Sequence, residues 1–331
     1  MSNLVPVGAL RFNTESNKLE YFNGTRYVNI TTSSAEQNSG TRGGVASGGF
    51  SSPAPMTRIE QVNIATTGNA VNFGDVSAGN YTERMGGSNH IYGFYAGGYN
   101  TVNPIGRFTI AIGNDAADFG DLIQDTHSGA GASNRTRLLM WSGAIDAPAT
   151  AKISAFTMAS AGNAEDFGDQ VASGGNGGAM NSPTRALFAG SNTTSNIQYV
   201  TTSTFGNAAA FGELSTGHRS CKASSNATRG IISGGYIAPD NTNIIDFIQL
   251  ATLGKAVDFG DLSLKIRSGA SYSSPTRCIA THGGYVTPTN GNTNEIQYVE
   301  IASKGDAIDF GDTTESNRAA APYSNCHGGL G

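Results

Sequence analysis

Polar and apolar residues alternate over short stretches of this chain, and no segment follows a helical period. Glu295-Ile296-Gln297-Tyr298-Val299-Glu300-Ile301 is the clearest stretch, and such alternation marks a strand with one face buried. Upstream lies a second strand, Arg277-Cys278-Ile279-Ala280-Thr281-His282-Gly283-Gly284, reached through the tight turn Ser273-Ser274-Pro275-Thr276 from a strand of small residues at Arg267–Tyr272. Downstream, a turn at Lys304-Gly305-Asp306 returns the chain into Ala307-Ile308-Asp309-Phe310. The expectation is an all-β fold built from four-stranded pieces.

The same arrangement recurs six times. Phe-Gly-Asp/Glu triplets place Phe73, Phe119, Phe167, Phe211, Phe259 and Phe310 at intervals of 44 to 51 residues. Each Phe is expected to pack between repeats, each Gly to make a bend, and the Asp before the Phe (Asp118, Asp166, Asp258 and Asp309) to cap the turn. A Gly-Asn-Ala-like turn precedes the triplet at Gly68, Gly162, Gly206 and Gly305, and a Gly-Gly doublet follows it at Gly97-Gly98, Gly234-Gly235 and Gly283-Gly284. A period in the high forties with several short strands per repeat predicts a β-propeller. Small residues at 128–133, 174–181, 222–225 and 319–324 suit inner strands converging on a narrow axis. After Phe310 one strand remains, Arg318–Asn325, while the chain before Phe73 supplies strands from Thr41 onward. The two ends are expected to share a blade, giving six blades and burying two sheet edges.

Length varies between repeats almost wholly in the connection between second and third strands, and four alternating strands bring those connections to one face. Variable loops on a rigid scaffold are where binding concentrates. The candidate binding residues there are Asn100, Asn103, Asp146, Asn192, Asn196, Asp240, Asn243, Asn290 and Asn292. Arginine recurs at two fixed phases, as Arg219, Arg267 and Arg318 (with His127 in register) and as Arg42, Arg137, Arg185, Arg229 and Arg277. Both series are expected to tie blades together through bidentate pairs with carboxylates.

Composition narrows the function. Of 331 residues, 45 are Gly and only 14% are charged, with a net charge of −5; without a basic stripe there is no footprint for nucleic acid. No apolar run approaches the roughly 18 residues of a membrane span, and Met1–Pro6 lacks the layout of a signal peptide. Three widely spaced cysteines, Cys221, Cys278 and Cys326, argue against a disulfide framework and for synthesis in a reducing cytoplasm. The Asp-Phe-Gly copies spell the kinase metal-binding triplet, but a kinase carries one, with a Gly-rich loop and a strand Lys. The histidines lack zinc spacing, no Gly-x-Ser-x-Gly elbow occurs, and no acidic loop has dense cation-ligand spacing. The expectation is no catalytic residue, no cofactor and no metal.

The repeat, with Gly234-Gly235-Tyr236 followed by Phe247, Phe259 and Arg267-Ser268-Gly269 as its clearest copy, resembles the kelch family. That resemblance implies a propeller that binds other molecules; the copper site of the galactose-oxidase branch has no matching set here. Residues 8–30, from Gly8-Ala9-Leu10-Arg11-Phe12-Asn13-Thr14 to Tyr27-Val28-Asn29-Ile30, resemble an element of tail-fibre and other virion proteins of tailed phages. The Gly-Asn-Ala-x-Asp-Phe-Gly-Asp repeats are similar to propellers of marine and cyanobacterial phage structural proteins. The implied organisation is an N-terminal β-hairpin element at 1–31 for attachment or oligomerisation, a linker at 32–40 and a six-bladed kelch-like propeller at 41–331. The implied role is that of a non-enzymatic tail-fibre or fibre-associated virion protein, made in the host cytoplasm and aiding adsorption. Its partners would be other virion proteins, further copies of itself, and a host-surface glycan or protein, with no nucleic acid and no membrane insertion. A capsid or neck decoration is the structural alternative, and a glycan-degrading propeller the enzymatic one.

Overall fold

The computed structural model describes residues 5–14, 18–30, 41–46, 49, 56–76, 82–99, 102–143, 151–171, 174–191, 194–289 and 291–326. The chain divides into two compact units, Met1–Gln37 and Asn38–Gly331; the expected linker lies outside the described residues. No helix occurs among the described residues.

In the N-terminal unit, β1 (Leu10–Asn13), β2 (Lys18–Phe22) and β3 (Tyr27–Asn29) form an antiparallel sheet in that order. Asn23 makes the second turn by accepting the Thr25 and Arg26 N–H groups at 3.0 and 2.9 Å, an Asx turn. One sheet face satisfies itself. The Arg11 guanidinium pairs with Glu20 at 2.8 Å and lies 3.6 Å from the Tyr27 ring centroid, while Phe22 packs on Tyr27. The register Leu10↔Tyr21 and Phe12↔Leu19 gathers the apolar side chains on the other face, where Leu10 is 63% and Phe12 57% exposed.

The main unit is six antiparallel sheets. Sheet 1 holds β4 (Arg42–Ala46), β5 (Arg58–Asn63) and β6 (Val71–Asp75). Sheet 2 is β7 (Met85–Ser88), β8 (Tyr92–Ala96), β9 (Pro104–Thr109) and β10 (Ala117–Asp121). Sheet 3 is β11 (Ala130–Ser133), β12 (Arg137–Trp141), β13 (Lys152–Thr157) and β14 (Glu165–Asp169). Sheet 4 is β15 (Gly178–Asn181), β16 (Arg185–Ala189), β17 (Asn196–Thr201) and β18 (Ala209–Glu213). Sheet 5 is β19 (Lys222–Ser225), β20 (Arg229–Ile237), β21 (Asp240–Gln249) and β22 (Val257–Asp261). Sheet 6 is β23 (Ile266–Arg267), β24 (Ala270–Ser273), β25 (Arg277–Val286), β26 (Gly291–Glu300) and β27 (Ile308–Asn317). The last strand, β28 (Ala321–Ser324), pairs with β4 from Ala321↔Ala46 to Ser324↔Gly43 and so completes sheet 1.

The inner strands are neighbours in the order β7, β11, β15, β19, β24, β28 and β7 again, a propeller-like arrangement. Sheet 6 departs from the expected four strands. The extra strand β23 forms because β25 runs on to Val286 and pairs there with Ile266 and Arg267, just ahead of the left-handed Ser268 (φ 55°).

Apolar clusters fill the spaces between successive sheets. Phe119 of sheet 2 meets Phe94 of its own sheet and Phe156 of sheet 3 at 5.1 and 5.4 Å, and Phe167, Phe211, Phe259 and Phe310 fill the equivalent places. Phe73 is the exception, half-buried at the margin of its cluster. Because each sheet is covered on both sides, the third strands are not half-buried as their alternation suggests. β5 and β13 each bury four consecutive residues.

Three sets of hydrogen bonds join the sheets. At the axis, the last residue of each inner strand reaches the next one's backbone. Ser88 Oγ donates to Ser324 C=O, Ser324 to Ser273, Ser273 to Ser225 and Ser225 to Asn181, while Asn181 Nδ2 donates to Ser133 and Ser133 Oγ to Ser88, all at 2.6 or 2.7 Å.

At the rim, each triplet clasps the Gly-Asn-Ala turn of the following repeat. Gly162 N–H donates to Phe119 C=O and Ala164 N–H to Asp121 C=O (2.9 and 2.8 Å), while Asn163 Oδ1 accepts Asp121 N–H. The clasp recurs at Gly206 on Phe167, Gly254 on Phe211 and Gly305 on Phe259, and Gly68 clasps Phe310 of sheet 6 at 2.8 Å. The acid that follows the Gly is held through its backbone by the next repeat, while the Asp that precedes the Phe caps the bend in two repeats: Asp166 Oδ1 accepts Gly168 N–H and Asp309 Oδ1 accepts Gly311 N–H, both at 3.1 Å.

Between axis and rim, arginine Nη1 groups donate to carbonyls of the next sheet. Arg42 reaches Ala111, Arg185 Ala251, Arg229 Ala302 and Arg277 Ala65 at 2.8 Å, and Arg137 reaches Thr202 at 2.9 Å. This corrects the expected carboxylate pairing: the acceptors across the junction are backbone.

Where sheet 6 meets sheet 1, Tyr272 OH lies 2.9 Å from His282 Nδ1, and His282 Nε2 lies 3.0 Å from Glu60 Oε2, with both His282 and Glu60 side chains 0% exposed. Thr314 N–H and Oγ1 donate to Glu60 Oε1. Burial alone would raise the Glu60 carboxyl, but the hydrogen bond and electrostatic pull of His282, followed by the Thr314 donors, outweigh it and hold the pKa below the usual range.

Two predictions follow from these junctions. A Cβ on Gly212 would strike the Gly254 carbonyl, whereas one on Gly254 would meet nothing within 4 Å. Gly212→Ala should cost about 1–3 kcal/mol in urea unfolding, and Gly254→Ala within about 0.5 kcal/mol of zero. The folded pKa of Glu60 lies below its unfolded value, so its contribution is complete above the ordinary carboxylate range and drains as pH falls through the depressed value. Glu60→Gln should therefore lower the melting temperature at neutral pH and flatten its decline on the acid side.

Candidate functional site

Between the outer strand of one sheet and the inner strand of the next, six residues adopt left-handed backbone: Glu83, Ser128, Asn176, Ser220, Ser268 and Ala319, with φ between 55° and 62°. Such a conformation costs a non-glycine residue roughly 1–2 kcal/mol. A chain of backbone bonds offsets it. Ser128 N–H donates to Glu83 C=O (2.9 Å), Asn176 to Ser128 (2.7 Å), Ser220 to Asn176, Ser268 to Ser220 (2.9 Å) and Ala319 to Ser268 (2.6 Å). These residues rim one end of the axial channel. The serine-rich belt lies toward the other end, and the channel between leaves about 70 Å³ free.

The mouth is cationic. Lys222 and Arg84 line it beside Glu83, the single carboxylate among its described lining residues. Burial pushes the Lys222 pKa down, against the pull of Cys221 and Glu83. Burial would likewise raise Glu83, but His127, Ser128 and Lys222 draw it below the usual range. His127 Nδ1 is 3.0 Å from Glu83 Oε2 and 2.9 Å from Ser128 Oγ, and Ser128 Oγ itself donates to Glu83. A nucleophilic triad needs its acid and its serine on opposite imidazole nitrogens; here both contact Nδ1, so the three side chains are not arranged as that relay.

Around the mouth, the side chain preceding four of the six left-handed positions, His127, Arg219, Arg267 and Arg318, meets a tyrosine that follows a Gly-Gly doublet. Tyr99 packs edge-on against His127 at 5.1 Å. Tyr236 carries the guanidinium carbons of Arg219 and Arg267 at 5.1 and 5.0 Å, and Tyr285 those of Arg267 and Arg318 at 4.8 and 4.6 Å. Arg219 bridges Tyr236 across the strands and Arg267 pairs with Tyr285. The result is an alternating Arg–Tyr arc over sheets 5, 6 and 1, with every member half-buried. Burial and the neighbouring Arg267 charge lower the Arg318 pKa, against Tyr285 and Glu83.

The candidate loop residues fare unevenly. Asn100, Asp146, Asn192 and Asn290 lie outside the described residues. Asn103 and Asn243 donate to the Leu122 and Leu262 carbonyls at 3.3 and 3.4 Å, a structural use. Asn196 is exposed and opens β17. Asp240, Asn243 and Asn292 sit in strands rather than in loops, because pairing resumes beyond the glycine bulges: Ile237↔Asp240 in sheet 5 and Tyr285↔Asn292 in sheet 6. Asp240 pairs with Lys265 at 3.2 Å, and Asn292 Oδ1 accepts from Arg318 at 3.3 Å. Sequence reasoning missed the arc by sending its arginines to carboxylates; Gly-Gly-Tyr at 97–99, 234–236 and 283–285 was the available signal.

No group of three or more His, Cys, Asp or Glu that could hold a metal occurs among the described residues. No family model matches the sequence, and no curated protein matches it.

All three cysteines are buried and free. Burial raises the Cys221 thiol to about 12 and those of Cys278 and Cys326 to about 11, so at neutral pH none supplies a thiolate nucleophile. An aromatic disulfide reagent should label none of them in the folded chain and all three in denaturant.

Proposed function

We propose that the main unit is a closed six-bladed propeller of kelch-like type, and that the chain is a non-enzymatic binding protein of a tailed-phage virion, carried on or beside a tail fibre. The face with the arginine–tyrosine arc would meet the host surface. The observation that carries the binding role is the divergence of the repeats at that face. Sheets 5 and 6 extend their hairpins there and place Arg and Tyr at phases that other repeats fill with Gly175 or Thr82, while the rim clasps recur around the molecule. Apolar clusters between each successive pair of sheets, including sheet 6 with sheet 1, support closure. A single described carboxylate at the mouth favours binding over glycan cleavage, which ordinarily uses two.

The N-terminal unit supports a role in attachment. Units below about 40 residues need disulfides, metals or oligomerisation to hold; the cysteines all lie in the main unit, and this sheet presents an apolar face. Homo-oligomerisation or docking on another virion protein would cover it.

Labelled full-length chain should adsorb saturably to cyanobacterial or other marine bacterial cells and sediment as an oligomer. Leu10→Ser with Phe12→Ser should reduce the oligomer to monomer. A wild-type chain that stays monomeric and adsorbs to none of the cells tested would overturn the proposal.

A further inference from the structure

We propose that the arc Arg219–Tyr236–Arg267–Tyr285–Arg318 is a binding site for an acidic glycan, whose carboxylate or sulfate groups are met by the guanidinium edges. The inference rests on reading the hairpin face as the binding face, and it names the ligand class.

Charge accounting comes first. Arg219 and Arg267 are held by tyrosine rings and have no carboxylate within ion-pair distance among the described residues. By contrast, Lys152, Lys255 and Lys265 each pair with an acid. Arg42, Arg137, Arg185 and Arg229 also lack a carboxylate but spend their guanidinium groups on carbonyls of the next sheet; the Arg219 and Arg267 side chains have no such acceptor among the described residues, and they directly precede Ser220 and Ser268 of the mouth, which Lys222 and Arg84 also line.

Geometry comes second. A guanidinium stacked on an aromatic face keeps its N–H donors in the plane of the stack, so the fork that matches carboxylate or sulfate remains available. The tyrosines fix the forks before a ligand arrives, which lowers the ordering cost of binding. One arginine per successive sheet, at a constant phase, repeats the cation along an arc. A polymer with an acidic group on successive sugars presents the complementary repeat.

Other anionic polymers fit less well. Single-stranded nucleic acid binds by stacking bases on open aromatic faces, and here guanidinium groups stack on Tyr236 and Tyr285. An acidic peptide commonly adds to a free sheet edge, but rim clasps occupy the outer edges of these sheets.

Isothermal titration of the full chain with polygalacturonate fragments, dextran sulfate and neutral dextran tests the site. Binding is expected to one or both acidic polymers, weakening with salt and displaced by excess inorganic sulfate, and not to dextran; which acidic polymer binds distinguishes carboxylate from sulfate. Arg219→Gln with Arg267→Gln should weaken binding about tenfold or more, with an unchanged melting temperature certifying the fold. Lys265→Gln, on the same face but outside the arc, should bind as wild type. The inference fails if wild type binds neither acidic polymer, if sulfate does not compete, or if the folded double variant binds equally well. Cell adsorption separates the two levels: a double variant that adsorbs like wild type sinks the arc and leaves the binding face, whereas a wild type that adsorbs to no cell sinks the reading beneath it.

Discussion

Six short side chains at the axis set the geometry of the main unit. Each hydrogen bond of the belt spans from the end of one inner strand to the backbone of the next at 2.6–2.7 Å. Such a reach is open to Ser or Asn but not to a bulky residue, and it holds neighbouring strands at one separation. Glycines make the same demand: a Cβ on Gly86 would strike the Pro322 backbone, and one on Gly131 the Gly86 carbonyl. The small-residue composition of the inner strands is therefore a distance requirement. The Phe triplets, arginines and turns fill and fasten wedges whose narrow end the belt has already fixed.

The fastening relies on backbone far more than on charge. Clasps and arginine ties both end on carbonyls, each worth about 0.5–1.5 kcal/mol net, somewhat more where the donor is charged. This is how a chain with 14% charged residues can hold six sheets in register. The junction of sheet 6 with sheet 1 adds the buried Tyr272–His282–Glu60 network. Elsewhere the residue equivalent to Glu60 also reaches the preceding repeat, as Gln198 to Val171, Asp246 to Ser215 and Gln297 to Ser263, but without an imidazole. A buried pair of this kind adds little net stability over an apolar substitute. What it adds is discrimination, since any slipped seam would strand a carboxylate without its partners.

The fold was legible because its repeat is carried by residue identity. Phe-Gly-Asp, Gly-Asn-Ala and the runs of Gly, Ser and Ala recur at constant phase, and the terminal strand expected at 318–325 contains β28, which pairs with β4 at the start of the first repeat. The errors have one physical source. Backbone acceptors leave no trace in a sequence, so Arg42, Arg185 and Arg229 could be recognised as ties while their acceptors were mistaken for carboxylates. The long hairpins of sheets 5 and 6 look like loops in the sequence for the same reason. Beyond Gly234-Gly235 and Gly283-Gly284 the strands keep pairing through main chain, and residues such as Asp240 and Asn292 carry no strand preference that would announce it. Two-sided burial of β5 and β13 was equally hidden, because alternation reports one sheet and cannot report the neighbour packed on its far side.

Departures from the repeat carry information of their own. Six left-handed residues precede the inner strands, and the position before each is Thr82, His127, Gly175, Arg219, Arg267 or Arg318. The scaffold asks nothing of that side chain, since Gly serves there in one repeat. Three consecutive arginines stand at this position, each over a tyrosine that follows a Gly-Gly doublet; Arg318 also donates to Asn292, whereas the Arg219 and Arg267 side chains make no hydrogen bond among the described residues. The same logic separates them from Arg42, Arg137, Arg185, Arg229 and Arg277, whose guanidinium groups are spent on carbonyls of the next sheet. Within a single repeated architecture, one arginine series ends on carbonyls of the next sheet and the other packs on tyrosine rings.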